Sequence, residues 1–186
     1  MPKAPPMTLQ EKVFPFFTEI PAHTGLDAWL TCPDSLTERL YARAGCARLE
    51  LLSQALVPAS SWDRECLGIE EETVFRREIR MWDAASPCWY AMAVIPASVW
   101  AAHALFFDRL RHEPMGKLLF AHNEVHRTEF KRLGVLLDSE GYAHMSGVTA
   151  TSFCIRPARL SAFSLREGEG FHLLEVLLPG LENYTI

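Results

Sequence analysis

His172 to Pro179 reads HLLEVLLP, an apolar run with one carboxylate, Glu175, in its middle. Laid out as a β-strand, it puts Phe171, Leu173, Glu175 and Leu177 on one face and His172, Leu174, Val176 and Leu178 on the other. Both faces are largely apolar, which places the strand inside a sheet covered on both sides. An ionised carboxylate there loses its water and has to be compensated by an opposite charge, a proton or a ligand. Glu175 is therefore the first residue to account for.

Working backward, Arg159 to Leu165 supplies a second strand, joined to Phe171–Leu178 across REGEG at 166–170. Gly168 and Gly170 there read as turn residues able to take a positive φ. They are not a phosphate cradle, because no helix follows. Further upstream, Thr73 to Trp82 (TVFRREIRMW) alternates so that Thr73, Phe75, Arg77, Ile79 and Met81 share one face and Val74, Arg76, Glu78 and Arg80 the other. Arg77 is the lone charge on a mostly apolar face. A turn over Asp83 to Pro87 leads into Trp89 to Ile95 (WYAMAVI), the partner of an antiparallel hairpin.

The other segments give weaker signals. Pro2, Pro5, Pro6, Pro15 and Pro21 break any long helix, so residues 1–25 read as an irregular arm. Leu26–Leu30 reads as a helical turn, and Ser35-Leu36-Thr37-Glu38 as a capping box opening a helix to about Ala44, closed by Gly45. Cys46 to Val57 has strand character, ended by Pro58, and the acidic stretch Ser60–Glu72 reads as a solvated loop. Val99 to Arg111 reads as an amphipathic helix, and His112 to Phe120 as a tight loop at Pro114 and Gly116. Asn123–Leu137 is ambiguous, and Asp138–Ser152 reads as an exposed, mobile loop. Together these predict one α+β domain over residues 1–186, built on an antiparallel sheet of about six strands.

Composition narrows the function classes. A net charge of −5 without a basic stripe gives nucleic acid no electrostatic footprint. No apolar run is long enough for a membrane span, and Met1–Thr8 lacks the apolar core of a signal peptide, so a cytoplasmic protein is expected; separately, a monomer is expected. The five cysteines, Cys32, Cys46, Cys66, Cys88 and Cys154, are scattered without a C-x-x-C pair and read as reduced core residues. His122 and His126 stand four apart with no third ligand in view, so no metal is expected.

Arg77 and Glu175 admit two readings. One is a structural ion pair, each relieving the other's desolvation. The other is a closed pocket in which an arginine fork binds a substrate carboxylate and a glutamate exchanges a proton with its reacting end.

Six short segments resemble the chorismate lyase family, in that family's order: DSLTERL at 34–40, FRREI at 75–79, AVIPAS at 93–98, EPMGKLLF at 113–120, RPARLSAF at 156–163 and LLEVLLP at 173–179. The resemblance implies an antiparallel sheet with helical flaps closing over a buried ligand, no cofactor, and chorismate as small-molecule partner. It implies conversion of chorismate to 4-hydroxybenzoate and pyruvate, the first committed step toward ubiquinone. It further implies that Arg77 holds the ring carboxylate, that Glu175 lies near the hydroxyl and leaving group, and that Leu36 and Met115 line the site and contribute backbone N–H groups. Taken alone, Leu36 and Met115 are as well explained by core packing, and Arg127 and Arg159 by surface placement, although either arginine could stand near the pocket mouth and attract the dianion. Two features depart from the family pattern: the 138–152 segment is longer, and DSLT replaces a common GSLT. The other reading is a non-catalytic ligand-binding module, like the effector domains of some bacterial transcription regulators. Those domains follow a basic winged helix, for which Met1–Gly25 is expected to be too short.

Overall fold

A computed structural model describes residues 16–20, 25–111, 113, 115–120, 125–149, 152–166 and 169–184. Its centre is one antiparallel sheet of seven strands in the order β1-β5-β6-β7-β4-β3-β2. The strands are β1 (Phe16–Thr18), β2 (Arg48–Pro58), β3 (Thr73–Trp82), β4 (Pro87–Pro96), β5 (His126–Leu137), β6 (Cys154–Arg166) and β7 (Glu169–Leu177). The HLLEVLLP stretch thus forms most of the central strand, between β6 and β4. Leu174, Val176 and Leu177 are at most 1% exposed. Burying each such side chain contributes roughly 1.5–3 kcal/mol, which makes this strand the natural anchor of the sheet.

The alternation read from the sequence separates two cores. On the first face Phe75, Ile79, Phe171, Leu173 and Leu177 pack under α1 (Asp27–Leu30), α2 (Leu36–Ala44), the short helices α4 (Ala97–Ala102) and α5 (Ala104–Asp108), and α6 (Met115–Phe120). On the second face Val74, Tyr90, Leu174 and Val176 pack with Trp62 and Leu67 of α3 (Ser61–Leu67) and Met145 of α7 (Ser139–Ser146). Half of the expected capping box forms at the start of α2: the Ser35 hydroxyl accepts from the Glu38 N–H, the Glu38 carboxylate makes no return bond to the Ser35 N–H, and Gly45 closes the helix at φ 72°.

Several expectations are corrected. Ser60–Glu72 is not simply a solvated loop, because Ser60 and Asp63 cap each other reciprocally to open α3, and Asp63 is fully buried in an ion pair with Arg76. Arg76, Glu78 and Arg80, on the face of β3 opposite Arg77, are all buried. The 138–152 segment is not mainly an exposed loop: Asp138 caps α7 by accepting from the Gly141 N–H at 2.7 Å. The expected 99–111 helix breaks at His103 into α4, α5 and a 3-10 turn over Arg109–Arg111. Gly116 lies inside α6, not in a tight loop. Within the arm, Phe16–Thr18 adds an edge strand to β5, while 1–15 and 21–24 lie outside the described residues. Gly170 belongs to β7, and Gly168, Pro114 and His122 lie outside the described residues. All five cysteines are free, but Cys66 is exposed, not in the core.

Candidate functional site

Register on the first face builds a site row by row. Ile79 of β3 stands opposite Ala91 of β4, Ala91 opposite Glu175 of β7, and Glu175 opposite Arg159 of β6. One row along, Arg77 stands opposite Ala93, and Ala93 opposite Leu173. Alanine at 91 and 93 removes bulk from the middle of the sheet. Space is left between the strand that carries Arg77 and the strand that carries Glu175, about 10 Å apart at two strand spacings.

That space is a narrow cavity of about 30 Å³ with the side chains and helix ends as they stand. Ile79, Ala91, Leu173 and Glu175 form its floor, and Phe163, Arg127 and Arg159 stand at the β5–β6 side. The N-terminal ends of α2 and α6 cover it through Ser35, Leu36, Met115 and Gly116. Leu36 and Met115 are the first residues of their helices, where backbone N–H groups have no acceptor within the helix. Gly116 lets the two helix ends meet, because a Cβ at that position would stand 2.8 Å from the Ser35 Oγ.

Glu175 is 6% exposed, and its compensation is Arg159, which donates from Nε to the Glu175 Oε2. Arg159 is itself 2% exposed and donates from Nη1 to the Cys32 carbonyl at 2.8 Å. Beside it, Arg127 donates from Nη1 to the Pro33 carbonyl at 2.9 Å and lies over the Phe130 and Phe163 rings at 5.0 and 5.4 Å. Burial lowers the Arg127 pKa and the neighbouring Arg159 charge adds to this, against the pull of Glu175.

Arg77 is placed differently. It shares the face and is 4% exposed, yet it stands beside the pocket lining instead of within it. Its Nε donates to the Gln54 Oε1 at 3.1 Å and its Nη2 to the Leu110 carbonyl at 3.0 Å, and neither bond uses Nη1. Both acceptors are neutral. Burial pulls its pKa down to about 10, leaving a cation at neutral pH with no carboxylate against it among the described residues. Of the sequence candidates, Leu36, Met115 and Glu175 therefore line one pocket, and Arg77 adjoins it. Arg127 and Arg159, read from the sequence as surface residues, line it as well.

Residues 18–145 match the family model described as chorismate lyase, and that span includes Leu36, Arg77 and Met115. The chain belongs to the chorismate lyase family. Relatives agree along greater lengths. A probable chorismate pyruvate-lyase of Ralstonia nicotianae is 36% identical over 82% of this chain and 80% of its own length. A second, from Pseudoalteromonas translucida, is 29% identical over 84% and 85%. The chorismate pyruvate-lyase of Escherichia coli is 27% identical over 69% and 79%. Solved structures show the same fold at low identity. PhnF from Mycobacterium smegmatis aligns with a TM-score of 0.58 at 16% identity, over 80% of this chain and 65% of that one. The ligand-binding domain of a putative GntR-family regulator from Bordetella bronchiseptica gives 0.53 at 14%, over 73% and 87%. Among the described residues no His, Cys, Asp and Glu cluster could hold a metal ion, and no helix is long and apolar enough to cross a membrane.

Proposed function

We propose that this member of the family is a lyase that converts chorismate to 4-hydroxybenzoate and pyruvate, supplying the aromatic acid for ubiquinone. The observation that carries the reading is Arg77, a buried guanidinium bonded to two neutral oxygens on the same sheet face as the pocket. A cation in that state is stabilised by an anionic ligand. The ring carboxylate of chorismate reaches it over the alanine floor, and the other end of the ring then lies at Glu175.

The reaction balances as an elimination. The proton on the hydroxyl-bearing ring carbon departs, its C–H electrons become a ring π bond, and the bond from the adjacent ring carbon to the enolpyruvyl oxygen breaks. That oxygen takes up a proton, and the enol released tautomerises to pyruvate. Glu175 makes its one hydrogen bond to a described residue through Oε2, so Oε1 is the oxygen placed to exchange a proton at that end. Helix N-termini at Leu36 and Met115 direct backbone N–H groups toward an anion. Leu173, Ile79 and Phe163 contact the ring and keep water from it.

The fold likeness to regulator ligand-binding domains favours one other reading, a pocket that binds without turnover. One assay separates the two. Purified protein is incubated with chorismate while pyruvate and 4-hydroxybenzoate are followed together. Equal release of both is expected, and tight binding with no product after prolonged incubation would overturn the lyase reading.

A further inference from the structure

A row of residues crosses the sheet at Arg77. Gln54 of β2 stands directly opposite it on one side and Ala93 of β4 on the other, with Leu173 of β7 beyond. The alanine offers no side-chain polar atom and leaves the way open toward the strand of Glu175. Gln54 is in place because of a bulge. Along β2 Leu49 pairs with Met81 and Leu51 with Ile79, and the register then shifts by one residue between Leu51 and Ser53. Without that shift Ser53 would face Arg77, and a serine hydroxyl is too short to reach along an extended arginine. Bulges in edge strands re-aim side chains in this way beside active sites.

The Gln54 Oε1 accepts from Nε of Arg77 at 3.1 Å, and the Leu110 carbonyl, in the 3-10 turn between α5 and α6, accepts from Nη2 at 3.0 Å. Nε and that Nη2 hydrogen lie along one edge of the guanidinium. The other edge ends in Nη1, which makes no hydrogen bond to a described residue, and this edge can receive both oxygens of a carboxylate. An arginine holds such an aim only where it is anchored, because its side chain has many rotamers and ordering them costs affinity. Leu110 anchors through its main chain. Gln54 is therefore the one side chain among the described residues that fixes Arg77 by a hydrogen bond.

We infer that Gln54 is a positioning residue: it turns the open edge of Arg77 toward the ring carboxylate and so sets how well the site distinguishes that carboxylate from a neutral group. This rests on the lyase reading and makes its ring-carboxylate site more specific. Gln54 acts through Arg77 and from the edge strand, on the side away from the pocket floor.

Calorimetry with 4-hydroxybenzoate and its neutral counterpart of equal shape, 4-hydroxybenzamide, tests this alongside chorismate turnover. In Gln54→Met, which keeps the length but loses the acceptor, the preference for the carboxylate over the amide is expected to fall on the order of 10-fold, the scale of one hydrogen bond to a charged group. Affinity for the amide should hold within about twofold. The KM for chorismate should rise on the order of 10-fold while kcat changes by less than about threefold. Gln54→Glu returns an acceptor of the same reach at a half-buried position on the edge strand, and should regain most of the preference. Gln54→Thr, suited to a strand but too short to reach, is expected to behave as Gln54→Met and replaces it if that variant does not fold. An unchanged preference in the Met or Thr variant overturns the role of Gln54. So does an equal loss of affinity for both ligands, or a Glu variant no better than the Met one. Unmodified protein that binds 4-hydroxybenzoate but releases no pyruvate from chorismate overturns the lyase reading alone, because the ligand preference still reads Gln54. Binding of neither ligand overturns both.

Discussion

Glu175 and Arg77 lie on one face of one sheet, yet each is held by a different neighbour, which makes their roles separable by substitution. Glu175→Gln keeps size and hydrogen bonding while removing the charge and the base. Turnover is expected to fall by about 100-fold or more, the scale of general acid–base catalysis, with 4-hydroxybenzoate affinity nearly unchanged in calorimetry. Because Arg159 then faces an uncharged partner, the variant should also unfold at lower denaturant. Should it fail to fold at all, the ion pair was the chief role of Glu175. Arg77→Met goes the other way. Replacing a buried cation that has only neutral acceptors is expected to leave the thermal midpoint unchanged or higher, while 4-hydroxybenzoate binding is lost. A clear drop in stability with binding intact would show that Arg77 serves the fold. Alternation alone found both residues. It could not find Arg159, whose pairing depends on hairpin register. Counting from a five-residue turn puts Ser161 opposite Glu175, whereas the observed register has a shift between Ser164 and Arg166 and brings Arg159 there instead.

Among the elements, the strands were easier to read than the short helices, because a period of two shows in five residues while a seven-residue helix offers barely two turns. What marks α3 and α7 is capping chemistry: Ser60 with Asp63, and Asp138 with Gly147 beyond the last turn. Those signals were present in segments whose polar composition suggested loops. Two glycines now have assignable and opposite consequences. Gly147 closes α7 at φ 75°, and a Cβ there would stand 2.9 Å from the Nη1 of Arg80, which binds the His144 and Met145 carbonyls at the end of that helix. Gly147→Ala is expected to cost about 1–2 kcal/mol in urea unfolding, without affecting ligand affinity. Gly116→Ala sits in ordinary helix, where alanine is favoured by about 1 kcal/mol, but its Cβ would press on the Ser35 Oγ where α2 and α6 meet over the pocket. Ligand affinity is expected to fall with little change in the unfolding midpoint. The converse result would show that this contact serves stability and not the site.

For the molecule as a whole, the sequence showed the hairpins but not how they join. Pairing of β4 with β7, across some eighty residues, has no local signature and follows only from both strands being apolar on both faces. The same holds for the buried charges of the second face, which respond to acid. Burial alone would raise the Glu78 pKa, but hydrogen bonds from His144 and Tyr90 and the His144 charge hold it below its ordinary value of 4.5. Asp83, at the turn between β3 and β4, is likewise lowered: burial is outweighed by the Ser86 and Ala85 N–H groups and the Tyr184 hydroxyl, which ties the C-terminal 3-10 turn over Pro179–Tyr184 to that hairpin. A carboxylate with a depressed folded-state pKa contributes stability that is fully present above its unfolded pKa and is lost as pH falls through the folded one. The free energy of urea unfolding should therefore decline as pH is lowered from about 5 toward 3. In Glu78→Gln that decline should be shallower, so that its deficit against the unmodified protein shrinks as pH falls. Parallel curves for the two proteins would show that Glu78 titrates alike folded and unfolded, and that α7 is held to the sheet by Arg80 and apolar packing alone.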